Sequence, residues 1–265
     1  MNHKTENKNQ SCQSLKVQAV TYSGTRDFVH VYLDPPGWDY IPGQFIMFRP
    51  GSWGNDPVWP RPFSICEKTD DALRLFIQVV GRGTKLISSL ELGEEVDVWG
   101  PLGNGFNLSH DEPVLILAGG MGIAPFVGLC KTHKKPDNIN LLMGHRAPLS
   151  SYPYDELPEN MSMQAMQQKN MADLNEFQLI LKQRIQDFAP KGRILACGPS
   201  PFLRAVQKYC LESKADAWLS LENKMACGVG ACLGCVTKTM DGEYIQTCTC
   251  GPVFRADMIS PDSWL

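Results

Sequence analysis

Long apolar runs are missing from this chain of 265 residues. No stretch approaches the ~20 consecutive apolar residues that cross a bilayer, which leaves out a transmembrane helix and gives no reason to expect a membrane partner. An excess of charge of one sign is missing too. The 25 Lys and Arg against 28 Asp and Glu leave a net charge of −3, and such a balance gives no reason to expect nucleic acid or an anionic surface as partner. The opening stretch Met1–Ser14 is mostly polar and lacks an apolar core, so it reads as a disordered tail and not as a secretory signal. No Ser/His/Asp set and no paired carboxylates suggest hydrolysis.

Cysteine is what the chain has in plenty. Ten cysteines, in a chain too long for a disulfide-stapled mini-protein and without an export signal, suit a reducing cytoplasm. Cys227, Cys232, Cys235 and Cys248 stand apart from the rest. Their C-x4-C-x2-C…C spacing is that of a plant-type 2Fe–2S site. Gly228, Gly230 and Gly234 are interleaved with them and let backbone amides approach the sulfurs. Zinc also accepts four thiolates, usually from paired C-x2-C knuckles; a single glycine-rich loop favours iron–sulfur. Cys250 competes with Cys248 for the fourth position. A cluster of this type moves one electron at a time, so the chain reads as part of an electron-transfer path. Most of the dispersed cysteines (Cys12, Cys66, Cys130, Cys197, Cys210 and Cys250) read as small buried hydrophobes.

The apolar fraction of 43% is ordinary for globular protein, and the length allows two domains plus a small one. The first hundred residues predict six short strands (15–21, 28–33, 44–48, 63–67, 73–80 and 95–99) divided by turn formers, with a short helix over 84–90. Six such strands predict a small antiparallel barrel. From Pro113 the pattern changes. Strands at 114–118, 139–143 and 193–197 alternate with helical runs, which predicts a parallel α/β layer. The polar, Met/Gln-rich segment Ser150–Asn170 reads as an insertion, Met171–Phe188 as a helix, and 236–246 as a hairpin. The expectation is therefore an α+β multidomain chain: a tail (1–14), a six-stranded antiparallel β-barrel (15–110), a parallel α/β nucleotide-binding domain (111–215) and a small 2Fe–2S domain (216–265).

Three further motifs carry chemistry. Arg61-Pro62-Phe63-Ser64 opens a strand; an arginine fork suits a pyrophosphate, and a serine at a strand edge suits a flavin ring or ribitol. Gly81-Arg-Gly83-Thr84 opens a short helix, an anion seat that Thr84 can cap. Gly119-Gly120-Met-Gly122-Ile-Ala-Pro125 follows a buried strand, and Cys197-Gly198-Pro199 follows another. Both loops fall at the carboxyl edge of the sheet, where open α/β sheets bind ligands. His145 and Arg146 end the second α/β strand, as a ribose or phosphate contact or as a plain surface pair. His110 and His133 read as solvent-exposed.

Taken together these motifs resemble the ferredoxin-reductase superfamily. With Leu221–Val236 and the Cys248-Thr-Cys-Gly-Pro-Val-Phe254 run, the resemblance narrows to the electron-transfer subunits of class 1B dihydroorotate dehydrogenase, over about Leu15 to Ile259. It implies a barrel that binds FAD, an α/β domain that binds NAD, with NADP not excluded, and a 2Fe–2S cluster on Cys227, Cys232, Cys235 and Cys248. It also implies FAD contacts at Arg61, Pro62, Phe63, Ser64, Phe76, Ile77, Gln78, Gly83 and Thr84, and nucleotide contacts at Gly120, Gly122, Pro125, Gly198 and Pro199. The implied partner is an FMN-containing catalytic subunit that oxidises dihydroorotate in the pyrimidine pathway, in a cytoplasmic heterotetramer of two chains of each kind. Phe63 replaces the tyrosine of many relatives, and Ser150–Asn170 stands where the family has a Thr/Asp/Gly-containing stretch. The alternatives are a flavin and iron–sulfur subunit of a transhydrogenase or hydrogenase, or a relay that no longer binds nucleotide.

Overall fold

The computed structural model describes residues 11–109 and 111–263. Its first half is a curled antiparallel sheet of β1 (Ser11–Ser23), β2 (Thr25–Leu33), β3 (Phe45–Pro50), β4 (Arg61–Ser64), β5 (Glu67–Lys68), β6 (Leu73–Gln78) and β7 (Glu95–Leu102), with helix α1 (Arg82–Ser88) between β6 and β7. The strand order is β4-β3-β7-β1-β2-β6-β5. The sheet has seven strands where six are expected, because the fourth run splits. The Ile65 amide donates to Gln44 at 3.1 Å beside β3, and the next amide, Cys66, donates to Arg74 on β6, also at 3.1 Å. One extended segment thus joins the two edges of the curl and leaves a strand on each. Part of the expected tail is strand: Ser11–Ser14 pair with Gly100–Asp97 of β7, and Met1–Gln10 lie outside the described residues.

The curled sheet encloses alternate residues, among them Val29, Val31 and Leu33 of β2 and Leu73, Leu75 and Ile77 of β6. On the opposite face of these strands Phe28 and Phe76 join the core of the second domain. Both faces of β2 and β6 are therefore covered, and the polar alternation of a half-exposed strand disappears.

The second sheet is built from β8 (Val114–Gly119), β9 (Ile139–His145), β10 (Ser162–Gln167), β11 (Arg193–Cys197), β12 (Ala217–Ser220) and, far along the chain, β15 (Val253–Arg255). Helix α2 (Ala124–Thr132) follows β8, α3 (Met171–Phe188) follows β10 and α4 (Ser200–Glu212) follows β11. The order is β10-β9-β8-β11-β12-β15, parallel except for the antiparallel β15. Helix α2 covers one face and packs towards the barrel; α3 and α4 cover the other. Three expectations change. Ser150–Asn170 is not an insertion: it supplies edge strand β10, and Asn170 caps α3 by accepting from the Ala172 and Asp173 amides at 2.8 and 3.1 Å. The boundary at 215/216 does not hold, since β12 and β15 complete the α/β sheet; the cysteine segment is a loop between these two strands, holding hairpin β13 (Val236–Lys238) and β14 (Tyr244–Gln246) and helix α5 (Thr247–Cys250). His133 is buried, with Nδ1 3.0 Å from the Lys135 carbonyl, and His110 lies outside the described residues.

An ion network centred on buried Arg74 joins the two halves. Arg74 of β6 is bidentate to Glu156, with Nη2 donating to Oε1 at 2.6 Å. Lys131 of α2 reaches Glu67 at 2.8 Å, and Arg74 Nε donates to His30 Nδ1 at 3.2 Å. Burial and the adjacent guanidinium hold the His30 imidazole down to about 4 from an ordinary 6.5. The unfolded chain accepts this proton near 6.5 and the folded one resists it until about 4, so stability falls with pH across that window. Thermal melts at neutral pH and at pH 5 should show a smaller acid loss in His30→Gln than in the parent protein; an equal loss would rule out His30 as its source.

Candidate functional site

The four cysteines are gathered as two thiol pairs. The Cys232 amide donates to the Cys227 sulfur at 3.4 Å, and the Cys248 amide donates to the Cys235 sulfur at 3.4 Å. The Gly234 amide donates to the Cys232 sulfur, also at 3.4 Å. Burial opposes ionisation of Cys227, yet amides of Val229, Cys232 and Ala231 bring its thiol down to about 7. Donation from the Cys248 thiol, together with nearby amides, brings Cys235 down to about 6, while Cys248, as the donor, is pushed up. Among the described residues no three Cys, His, Asp or Glu side chains converge as a set for one ion. Two pairs suit a two-iron core better than a single zinc, and amides aimed at sulfur suit thiolates on a metal. The residues fit the group.

Positive φ is required where the loop turns. Gly228 has φ +70°, and a Cβ there would lie 2.4 Å from Met47 Cγ. Met47, Phe45 and Leu102 of the barrel share one apolar cluster with Cys235 and Cys248. Asn104 fastens the returning segment, donating to the Val253 carbonyl at 2.8 Å and accepting from the Val253 amide at 2.9 Å. Asn223 donates to the carbonyls of Cys235 and Val236 and to Thr247 Oγ1 at 3.0–3.2 Å. The sequence reading missed Met47, Asn104 and Asn223 as supports. Asn223 alone had a signal, since it lies inside the Leu221–Val236 run.

Across β3–β4, Met47 pairs with Pro62 and Phe48 with Arg61. The Arg61–Ser64 motif is therefore one strand away from the cysteine loop. Arg61 Nη1 donates to the Trp59 carbonyl at 2.7 Å, and its guanidinium lies 5.6 Å over the Trp53 ring. A Cβ on Gly83 would stand 3.0 Å from Arg61 Nε, so glycine keeps the guanidinium against the start of α1. An arginine fork and the opening amides of α1 thus meet at one junction. Thr84 Oγ1 is occupied by the Val80 and Gly81 amides at 2.9 and 3.0 Å; it shapes the turn and does not face outwards. Phe76 and Ile77 are buried, Ile77 in the barrel and Phe76 stacked 4.7 Å from His30. Only Gln78 of that strand is exposed, so the side chains of Phe76 and Ile77 are taken up by packing.

The nucleotide motifs meet at the carboxyl edge of the parallel sheet. Ala118 of β8 pairs with Cys197 of β11. A Cβ on Gly122 would fall 1.9 Å from the Cys197 carbonyl oxygen, and one on Gly119 would fall 2.9 Å from Pro199 Cδ. Gly122 is thus glycine because another loop occupies that space; Gly120, with φ +52°, faces only Tyr152 Oη at 3.8 Å. Pro125 sits in the first turn of α2 and Pro199 caps α4. The Gly120–Ile123 turn lies against β6, β9 and β11, next to the end of the Phe76–Gln78 strand. Replacing Gly122 by alanine should destabilise the protein by about 1–3 kcal/mol or more through overpacking, read as a lower unfolding midpoint; an unchanged midpoint would contradict this close approach.

A curled antiparallel sheet followed by a parallel sheet with its glycine turn at the carboxyl edge is the fold of ferredoxin-reductase-type electron carriers. The structure superposes with TM-score 0.78 on the NADH-dependent reduced ferredoxin–NADP oxidoreductase described for flavin-based electron bifurcation, at 22% identity over 94% of this chain and 91% of that one. It superposes with TM-score 0.62 on phthalate dioxygenase reductase, at 16% identity over 90% and 94%. A family profile described as the iron–sulfur cluster binding domain of dihydroorotate dehydrogenase B matches residues 222–260. The electron transfer subunit of dihydroorotate dehydrogenase B (NAD(+)) from Clostridium acetobutylicum is 35% identical over 80% of this chain and 83% of that protein; the subunit of the same name from Listeria innocua is 35% identical over 84% and 88%. The chain belongs to the family of dihydroorotate dehydrogenase B electron transfer subunits.

Proposed function

We propose that this chain passes electrons between a nicotinamide nucleotide and a catalytic partner that oxidises dihydroorotate, by way of FAD at the barrel edge and a 2Fe–2S cluster on Cys227, Cys232, Cys235 and Cys248. The observation that carries this reading is strand β3. Met47 touches the cysteine loop on one side and pairs with Pro62 of the flavin motif on the other, so the two sites share one rigid element. A flavin held there would supply hydride chemistry towards the nucleotide and single-electron chemistry towards the cluster. Arg61 and the first amides of α1 neutralise the FAD pyrophosphate. Phe63, Ser64 and Gln78 would hold the ring, on a backbone framed by Phe76, Ile77, Gly83 and Thr84. Gly120, Gly122, Pro125, Gly198 and Pro199 shape the loops that receive the nucleotide. The amides at the sulfurs spread the negative charge of the thiolates and tune the cluster's potential.

Family membership favours the dihydroorotate pathway over a transhydrogenase or hydrogenase module, and the resemblance gives the partner FMN and the assembly two copies of each chain. All ten cysteines are free thiols, which suits a cytoplasmic setting. The relay reading loses its motive, since residues 150–170 complete the sheet and the two nucleotide loops meet. The protein purified with its co-eluting partner should show flavin bands with iron–sulfur shoulders, and added dihydroorotate should bleach them. Zinc without iron by elemental analysis would end the proposal.

A further inference from the structure

Residues 51–60 join β3 to β4 and end where the Arg61 motif begins. Three arginines fasten this loop. Arg49 of β3 donates through Nη2 to the Gly54 carbonyl and through Nε to the Val58 carbonyl, the latter at 3.3 Å. Arg61 of β4 donates to the Trp59 carbonyl at 2.7 Å. Arg82, the first residue of α1, pairs with Asp56 at 2.6 Å. The loop therefore bridges the two motifs assigned to the flavin, Arg61–Ser64 and Gly81–Thr84. Its two tryptophans are placed in opposite ways. Trp53 is buried in the core of the curled sheet, with the Arg61 guanidinium over its ring. Trp59 is 54% exposed, and among the described residues its indole has no ring contact, cation–π contact or hydrogen bond. The preceding residue, Val58, is also exposed.

A single exposed apolar side chain is ordinary on a protein surface; the position of this one is what matters. FAD is linear: isoalloxazine, ribityl chain, pyrophosphate and adenosine follow in that order. With the flavin placed as proposed above, on which this step rests, the ring lies at Phe63 and Ser64 and the pyrophosphate at Arg61. The cofactor then runs backwards along β4, which covers about 10 Å from Ser64 to Arg61. Trp59 lies two residues further in the same direction, at most ~7 Å beyond Arg61, and its backbone is hydrogen-bonded to that arginine. The adenosine half leaves the pyrophosphate at this end. An indole offers a broad apolar face, and a purine stacks on it without any hydrogen bond to its edge. We propose that Trp59 is the platform on which the adenine of FAD stacks, and that this contact makes the chain select FAD over FMN. FMN ends at its first phosphate and has no base to stack. The partner of the proposed function carries FMN, so one complex has to sort two flavins, and Trp59 supplies the difference on this side. Its role is cofactor choice and positioning, not hydride transfer.

The test uses the full chain purified by itself, so that no FMN of the partner interferes, with its flavin removed by dialysis against potassium bromide. Titration with FAD and with FMN, followed by flavin emission, gives the two dissociation constants. The unaltered chain should bind FAD more tightly than FMN by about tenfold or more, the size of one base stacked on an aromatic ring. Trp59→Ala should weaken FAD by about 10- to 100-fold and leave FMN where it was, and Trp59→Phe should keep most of the FAD affinity. One readout needs no variant: FAD should protect a fraction of the tryptophan emission from acrylamide quenching that FMN leaves open. Equal affinity for the two flavins, equal protection by both, unchanged FAD binding in Trp59→Ala, or a parallel loss of FMN in that variant would overturn the inference alone. A Trp59→Ala chain that keeps its FAD affinity but no longer co-purifies with its partner would overturn it too, by placing the indole on the partner. A chain that takes up neither flavin would overturn the flavin half of the proposed function as well.

Discussion

Cys232→Ser is expected to yield a protein that is still yellow but has lost its iron. The Cys232 amide donates to the Cys227 sulfur and its own sulfur accepts from the Gly234 amide, yet the residue is exposed. Its replacement removes a ligand without opening a cavity, so the fold and the flavin remain. Electron delivery to a one-electron acceptor should drop by more than the ~10–100-fold that loss of an outer partner of a metal site typically causes, while reduction of the flavin by nucleotide persists. Iron analysis, the visible spectrum and acceptor assays measure the three quantities separately. Full iron content in the serine variant would remove Cys232 from the ligand set and assign its place to another cysteine. The same measurement on Cys250→Ser should show iron unchanged: Cys250 is half-buried, with its sulfur 3.9 Å from Thr249 Oγ1, whereas Cys248 shares a buried thiol pair with Cys235.

Arg74→Ala should produce the largest loss of stability. Removing the guanidinium strands Glu156 and Glu67 together and leaves Lys131 to compensate both. The Glu156 side chain is 40% exposed, so the penalty should fall somewhat below that of a fully buried pair, about 2–4 kcal/mol. In a chain of this size that corresponds to roughly 5–15 °C in the unfolding midpoint. Glu156→Ala should cost less, because Arg74 retains Glu67 at 3.5 Å; the double variant should be less destabilised than the sum of the two, since they act in one network. Additive losses would mean that Arg74 contributes through packing alone. The network joins barrel strands to α2 and the 152–161 turn, so flavin reduction by nucleotide should slow in parallel.

Much of the architecture was legible locally. The helix over Met171–Phe188 appears with the expected bounds, because its apolar period and the cap at Asn170 are both encoded within a few residues. The hairpin at 236–246 appears for the same reason. The fourth strand was misjudged because its division at Ile65–Cys66 comes from two different long-range partners, and nothing local marks the switch. Strand β10 was hidden because Ser-Met-Gln-Ala-Met-Gln lacks β-branched residues and breaks its alternation at Ala165-Met166; pairing with β9 decides its state. His133 read as exposed because a lone histidine beside lysines looks solvated, whereas its ring is buried and held at the Lys135 backbone.

Which groups would be bound was already decided by order and spacing along the chain. Thiols at C-x4-C-x2-C, glycines beside them and an arginine opening a strand are chemical constraints that act over a few residues. Where those groups sit relative to one another was decided only by the tertiary structure. Strand β3 between cluster loop and flavin motif, the steric need for Gly122 and the burial of Phe76 all depend on contacts between segments far apart in sequence. Packing of that kind is set by the whole chain at once, because each such contact forms only after two distant pieces of backbone have been brought together.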